Sequence, residues 1–200
     1  MKLVIATRNQ GKAREIRTLL GDIPFQLLSL NDYDVSETAE EPESTYEGNA
    51  IAKARFYASA TGELVIADDS GLEVAALNGA PGVFSARYSG AGASDQQRRQ
   101  RLLSELTGIE PENRGAQFVC AVAVANGNKE VLEVTRGICQ GKILFEERGK
   151  GGFGYDPLFV PEGFKETFGE LSDAIKNQIS HRAKAIHAMR EFLCAKTGCA

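Results

Sequence analysis

Two hundred residues, 42% of them apolar, are enough to bury one sizeable α/β core or a two-lobed unit. The net charge of -4 and the lack of a basic stripe argue against a nucleic-acid partner, so an anionic ligand must be met by local lysines and arginines. No apolar stretch is long enough to span a bilayer, and Met1-Lys2-Leu3-Val4-Ile5-Ala6 is too short for a signal peptide; the expectation is a cytoplasmic chain with no membrane partner.

Residues 3–6 predict a buried strand. The polar turn Thr7-Arg8-Asn9-Gln10-Gly11-Lys12 follows, then a helix with Ile16, Leu19 and Leu20 on one face that stops at Gly21. Residues 25–30 predict a second strand and 31–43 an acidic loop. Ser44 with Glu47 predicts a capping box for a helix running to Thr61. Leu64-Val65-Ile66-Ala67 predicts a strand ending in Asp68-Asp69-Ser70-Gly71, and residues 79–92 are glycine-rich and irregular. Ser94 with Gln97 caps another helix, with Leu102, Leu103 and Leu106 inward. Residues 116–125 and 130–139 predict strands joined at Asn126-Gly127, a strong hairpin signal. A glycine loop over 149–157 leads to a brief strand at 158–160. Ser172 caps a short helix, and a final helix carries Ile186, Met189 and Leu193 at core spacing. The expected architecture is α/β: an elongated mixed, twisted sheet flanked by helices. It forms one domain over 1–200, drawn into two lobes with a central cleft.

Cys120, Cys139, Cys194 and Cys199 form no Cys-x-x-Cys pair, and His181 and His187 are far along the chain from the first two, which argues against zinc. The sharper chemistry lies elsewhere. Asp68 and Asp69 follow an aliphatic run, and adjacent strand residues point to opposite faces, so only one can aim at a given site. The same residues also suit a solvated turn. Thr7 to Lys12 offers helix N-terminal N–H groups, a hydroxyl, an amide and a lysine for an anion, though a polar strand-to-helix turn looks alike. Lys53 could snorkel outward or point at phosphate. Glu37, Glu40, Glu41, Glu43 and Glu47 form an acidic cluster, any of which could reach a metal, although a solvated acidic loop accounts for most of them. Phe153, between Gly152 and Gly154, suits stacking on a base. His181-Arg182 at a helix start opposes the helix dipole and invites a compensating anion or polar ligand, though His181 taken alone reads better as a satisfied structural histidine.

Taken together and in order, six segments resemble the inosine triphosphate pyrophosphatase family. They are Ala6-Thr7-Arg8-Asn9-Gln10-Gly11-Lys12; Thr45-Tyr46-Glu47-Gly48-Asn49-Ala50 with Lys53; Ala67-Asp68-Asp69-Ser70-Gly71-Leu72; Gly79-Ala80-Pro81-Gly82-Val83-Phe84-Ser85-Ala86-Arg87-Tyr88; Gly152-Phe153-Gly154-Tyr155-Asp156-Pro157; and Leu171-Ser172-Asp173 with Lys176 and Ser180-His181-Arg182. Tyr46, Gly48 and Ala183 depart from the family pattern outside the chemical positions.

The resemblance implies a Mg2+-dependent homodimer that hydrolyses inosine, deoxyinosine and xanthosine triphosphates to monophosphate and pyrophosphate. It implies that Thr7, Asn9 and Lys12 hold the triphosphate within the stretch Thr7, Arg8, Asn9, Gln10, Gly11 and Lys12, joined by Ser70. Asp69, with Glu40, would coordinate Mg2+ and prime water; Glu41 is the neighbouring choice in a loosely aligned loop. Phe153 would stack on the base, with Gly154, Tyr155 and Asp156 lining its pocket. Lys176, His181 and Arg182 would contact the base or its adjoining atoms, and Ser85-Ala86-Arg87-Tyr88 would frame the dimer interface. Two alternatives are a Maf-like hydrolase of other modified nucleotides, against which Phe153 and His181-Arg182 argue, and a non-hydrolysing nucleotide-binding module, against which Asp68-Asp69 argues.

Overall fold

The computed structural model describes residues 1–198; Cys199 lies outside the described residues. In chain order the elements are β1 (Lys2–Ile5), α1 (Gln10–Leu20), β2 (Gln26–Ser29), α2 (Tyr46–Thr61), β3 (Leu64–Val74), α3 (Asp95–Glu105), β4 (Gly115–Ala125), β5 (Val131–Ile143), β6 (Phe159–Pro161), α4 (Asp173–Ile179) and α5 (His181–Thr197). Among the described residues six strands form one sheet in the order β2-β1-β3-β4-β5-β6. It is mixed: β1 runs parallel to β2 and β3, whereas β6 is antiparallel to β5. β4 and β5 are neighbours joined by a short turn, a connection that only antiparallel strands permit. The chain packs as two units, with boundaries inside β3, β4 and β5: Met1–Asp69, Cys120–Gly137 and the chain from Arg182 form one, Ser70–Val119 and Ile138–His181 the other.

In the first unit, β1 pairs in register with Leu27 and with Leu64 through Leu3. Asn9 caps α1, its side-chain oxygen accepting the Lys12 N–H at 3.0 Å. Ile16, Leu19 and Leu20 of α1 and Ile186, Met189 and Leu193 of α5 share one apolar cluster with Leu3, Ile5 and Ile66. Strand alternation sends Val65, Ala67 and Asp69 to the opposite face, where Asn49 and Lys53 of α2 reach Asp69. Helices therefore cover both faces of this part of the sheet.

In the second unit, Leu102 and Leu106 pack with Phe118, Phe159 and Phe168. The Phe118 and Phe159 rings lie 4.7 Å apart between centroids. Arg114 is buried here, and its guanidinium donates to the carbonyls of Ile143, Leu106 and Leu144, which satisfies it as a structural group. The capping box of Ser94 and Gln97 forms as expected.

Three local expectations change. The cap of α2 is Thr45, whose hydroxyl accepts the Gly48 N–H at 3.1 Å, so Ser44 and Glu47 make no capping box there. The β4–β5 turn is longer than a two-residue hairpin: Asn126 accepts from Asn128 and Glu130, and Lys129 takes the left-handed conformation. β3 does not stop before Asp68. It runs on to Val74, and it is β1 that ends beside Ile66, leaving both aspartates within β3 just beyond that pairing. The solvated-turn alternative fails because both side chains are buried and ion-paired.

Candidate active site

The first unit gathers its charged groups around β3, one set on each face. On the α1/α5 face, Asp68 Oδ2 lies 3.0 Å from Lys12 Nζ and 3.2 Å from Arg182 Nη2. Arg182 also holds Glu15 Oε2 at 2.5 Å. Asp68 and Arg182 are almost fully buried. Burial alone would push the Asp68 carboxyl up, but Lys12 and Arg182 outweigh it and hold that carboxyl well below the usual carboxylate range. Burial likewise opposes the Arg182 charge, and Asp68 and Glu15 overcome it.

On the α2 face, Asp69 has a partner on each oxygen. Lys53 Nζ is 2.9 Å from Oδ1, and Asn49 Nδ2 donates to Oδ2 at 3.2 Å. Asn49 and Lys53 are four residues apart, on one face of α2. Lys53 also reaches Glu41 Oε1 at 2.8 Å. Burial raises the Asp69 carboxyl above its ordinary range despite Lys53, which favours it as a proton acceptor. Burial would lower the Lys53 ammonium, yet Asp69, Asp68 and Glu41 keep it raised and charged. Lys53 therefore points inward rather than snorkelling.

The geometry separates the two acidic candidates. Glu41 joins Asp69 through a shared lysine, whereas Glu40 is exposed and lines a hollow with Thr38, Pro42, Ala52 and Phe56. Among the described residues no three Asp, Glu, His or Cys side chains gather as a metal cage. Two carboxylates around one positive charge are the donor set that suits a hard divalent ion whose shell is completed by phosphate oxygens.

The β1–α1 turn presents Thr7, Arg8, Asn9 and Gln10 along a hollow of about 410 Å³ that runs past Arg14 and Arg17 to Ser29, Leu30 and Asn31. Thr7 Oγ1 accepts the Asn9 N–H at 3.2 Å and Asn9 Oδ1 accepts the Lys12 N–H, bonds that do not use the Thr7 hydroxyl proton or the Asn9 amide hydrogens. Gly11 and Lys12 stand in the first turn of α1. Arg8 is engaged with the acidic loop: one guanidinium nitrogen donates to the carbonyls of Val35, Ser36 and Glu37.

The second unit holds the remaining candidates. Ser70 follows Asp69 in β3 and is half-buried. Lys176 Nζ is 2.6 Å from Asp156 Oδ2 and 4.8 Å from the centre of the Phe153 ring. The same Asp156 oxygen accepts the Phe153 N–H at 2.8 Å. A Cβ on Gly152 would stand 2.1 Å from that oxygen, so the missing side chain makes room for the Asp156 carboxylate. Tyr155 is buried, its hydroxyl donating to the Ser85 carbonyl at 3.0 Å. His181 stacks on Phe118, with centroids 4.7 Å apart and rings 11° from parallel.

The structure thus brings together Lys12, Asp68 and Arg182, and separately Phe153, Asp156 and Lys176. It places Arg182 on two carboxylates. Sequence reasoning missed Glu15 and Asn49. Each had a signal, standing three residues after Lys12 and four before Lys53 on their helices.

Carboxylates and lysines beside a strand-to-helix turn of an α/β sheet suit an enzyme of the phosphate-handling class, which binds phosphate and a divalent ion. The chain belongs to the Ham1 family, whose model matches residues 3–192. A dITP/XTP pyrophosphatase of Desulforamulus reducens is 47% identical over 96% of this chain and 96% of its own length. Among solved structures, a HAM1 protein from Coxiella burnetii is 41% identical, with a TM-score of 0.88, over 98% of this chain and 99% of its own. The Staphylococcus aureus Ham1 protein is 39% identical, with a TM-score of 0.86, over 98% and 100%. The family match bears out the resemblance read from the motifs.

Proposed function

We propose that this chain hydrolyses non-standard purine nucleoside triphosphates (ITP, dITP and XTP) to the monophosphate and pyrophosphate, and so clears them from the nucleotide pool. The observation that carries this is the Asp69–Lys53–Glu41 set on the α2 face of β3, with Lys12, paired to Asp68 on the other face, close enough for its charge to act on Asp69 as well. The names of the relatives point to the same activity.

Lys12, with the donors of Thr7 and Asn9, binds the triphosphate oxygens, and Ser70 joins them. Asp69 accepts the proton of the attacking water, and Lys53 fixes the orientation of its carboxylate. Asp69 and Glu41 would hold Mg2+, which when bound neutralises charge developing on the phosphoryl oxygens and on the departing pyrophosphate. Phe153 stacks on the purine, and Lys176 with Asp156 fixes the position of its ring. His181, stacked on Phe118, serves the base or its adjoining atoms. We infer a homodimer formed through the segment around Phe84, a large apolar residue that is 57% exposed, with Arg87 over its ring.

The decisive experiment is a panel of ITP, dITP, XTP, ATP and GTP with Mg2+, products identified as pyrophosphate or phosphate. Pyrophosphate from the first three and little turnover of the last two is expected. Release of single phosphates would overturn the proposal.

The metal assignment is checked on two variants. Glu41→Gln is expected to raise the Mg2+ concentration for half-maximal rate about tenfold or more, while Glu40→Gln stays within about twofold of wild type. The reverse pattern in a Mg2+ titration would return the role to Glu40.

Phe153→Ala is expected to weaken ITP, XTP and ATP binding by similar factors. Stacking is worth roughly 1–3 kcal/mol per base and barely distinguishes purines. A change in the ranking of bases, at unchanged affinity for ITP, would assign Phe153 a different role.

A further inference from the structure

We propose that Asp95 and Arg99, on the first turns of α3, are positioning residues for the purine-binding loop. They act by gripping both polar groups of Gly154. The Gly154 N–H donates to Asp95 Oδ2 at 2.7 Å, and Arg99 Nη1 donates to the Gly154 carbonyl at 2.8 Å. Arg99 is itself anchored, its other terminal nitrogen lying 2.9 Å from Glu147 Oε2. Asp95 pairs with Arg98, which donates to the carbonyls of Ala86 and Ala93. The grip is therefore tied to the 3-10 turn Gly82–Arg87.

No neighbour crowds the side-chain position of Gly154. It has a left-handed φ of +60°, and a Cβ built on it would meet nothing within 4 Å. What fixes this part of the loop is polar: the Phe153 N–H ends on Asp156, the Gly154 N–H on Asp95 and the Gly154 carbonyl on Arg99. Two successive N–H groups committed to carboxylates set the direction in which the intervening Phe153 side chain leaves the backbone. Burial disfavours the Asp95 charge, but the Gly154 N–H and Arg98 outweigh it and hold the carboxyl below its ordinary range. The loop's N–H groups at 153 and 154 are consumed in holding its shape and are not left to read the base. An ordinary helix cap would affect stability alone. A positioning pair affects binding of whatever rests on Phe153, which here rests on the proposed function.

The test compares wild type with Asp95→Ala, Arg99→Ala and Asp95→Asn. Three quantities are measured: KM and kcat for ITP, inhibition by IMP, which carries the base, and inhibition by inorganic tripolyphosphate, which does not. Losing preorganisation is expected to raise KM for ITP and weaken IMP about tenfold in both alanine variants, with kcat and tripolyphosphate inhibition within about twofold of wild type. Asp95→Asn recovers most of the loss, because its carbonyl still accepts the Gly154 N–H. Amide hydrogen exchange over residues 152–156 accelerates in the alanine variants. Unchanged exchange at Gly154, unchanged IMP inhibition, or equal losses for IMP and tripolyphosphate each overturn the inference. A wild-type protein that turns over no ITP instead overturns the proposed function, and the exchange measurement still decides whether the grip exists.

Discussion

Asp69→Asn is expected to lower kcat for ITP by at least about 10²-fold while the fold persists, because the substitution keeps shape and removes charge. Asn at this position can still accept from Lys53 or Asn49 through its carbonyl oxygen. It cannot take a proton from water or offer a charged oxygen to a divalent ion. The loss is therefore a loss of chemistry at the α2 face of β3, where Asp69 is now held by Asn49 at 3.2 Å and Lys53 at 2.9 Å. Burial already makes Asp69 a stronger base than an exposed aspartate, so there is basicity to lose. Lys53 keeps Glu41 as its counter-charge and burial already disfavours the Asp69 charge, which predicts a melting temperature within a few degrees of wild type. The measurement is kcat at saturating ITP and Mg2+ beside a thermal melt. A variant within about tenfold of the wild-type rate would remove Asp69 from proton transfer and from the metal.

Much of this arrangement was legible in the sequence wherever the signal is local. The strand, turn and helix over residues 2–20 declare themselves by a buried run, a capping asparagine and apolar spacing, and Ser94 with Gln97 marks the start of α3. What was not legible depends on distant partners. Asp68-Asp69-Ser70-Gly71 has the composition of a turn, and it becomes interior strand only because Lys12, Lys53 and Arg182 neutralise it. Arg182 is 114 residues away from Asp68, and no local propensity reports such a partner. The sequence leaves Glu40 against Glu41 open for a related reason. An irregular loop has no periodicity to say which of two neighbours turns inward; in the structure it is Glu41 that meets the Lys53 ammonium. Gly154 is a further case: its flexibility can be read from its identity, but the two side chains that restrain it come from a helix more than fifty residues earlier.

Arg182→Ala is expected to cost about 3–5 kcal/mol of stability, the usual consequence of removing one partner from a buried ion pair. The resemblance implies a base contact for Arg182, and a cationic donor could favour a 6-oxo purine over a 6-amino one. The guanidinium instead has Asp68 at 3.2 Å and Glu15 at 2.5 Å, and it is 2% exposed. Its loss leaves Asp68, itself buried, with a diminished counter-charge and releases Glu15 from its partner. For a chain of this size, that predicts a fall in melting temperature on the order of 10 °C. It also predicts weaker binding of the triphosphate, because Lys12 becomes the chief counter-ion of Asp68 and is drawn toward that carboxylate and away from phosphate. Discrimination between bases should barely move, since every nucleotide loses the same phosphate contact. The ratio of kcat/KM for ITP to that for ATP is accordingly expected to stay within about twofold of wild type, while both values fall together. Arg182→Lys should restore part of the stability by returning a positive charge, though without the two-sided geometry that spans Asp68 and Glu15. A stable Arg182→Ala protein whose ITP-to-ATP ratio collapses by tenfold or more would show that the arginine leaves its carboxylates to read the 6-oxo group when substrate is bound.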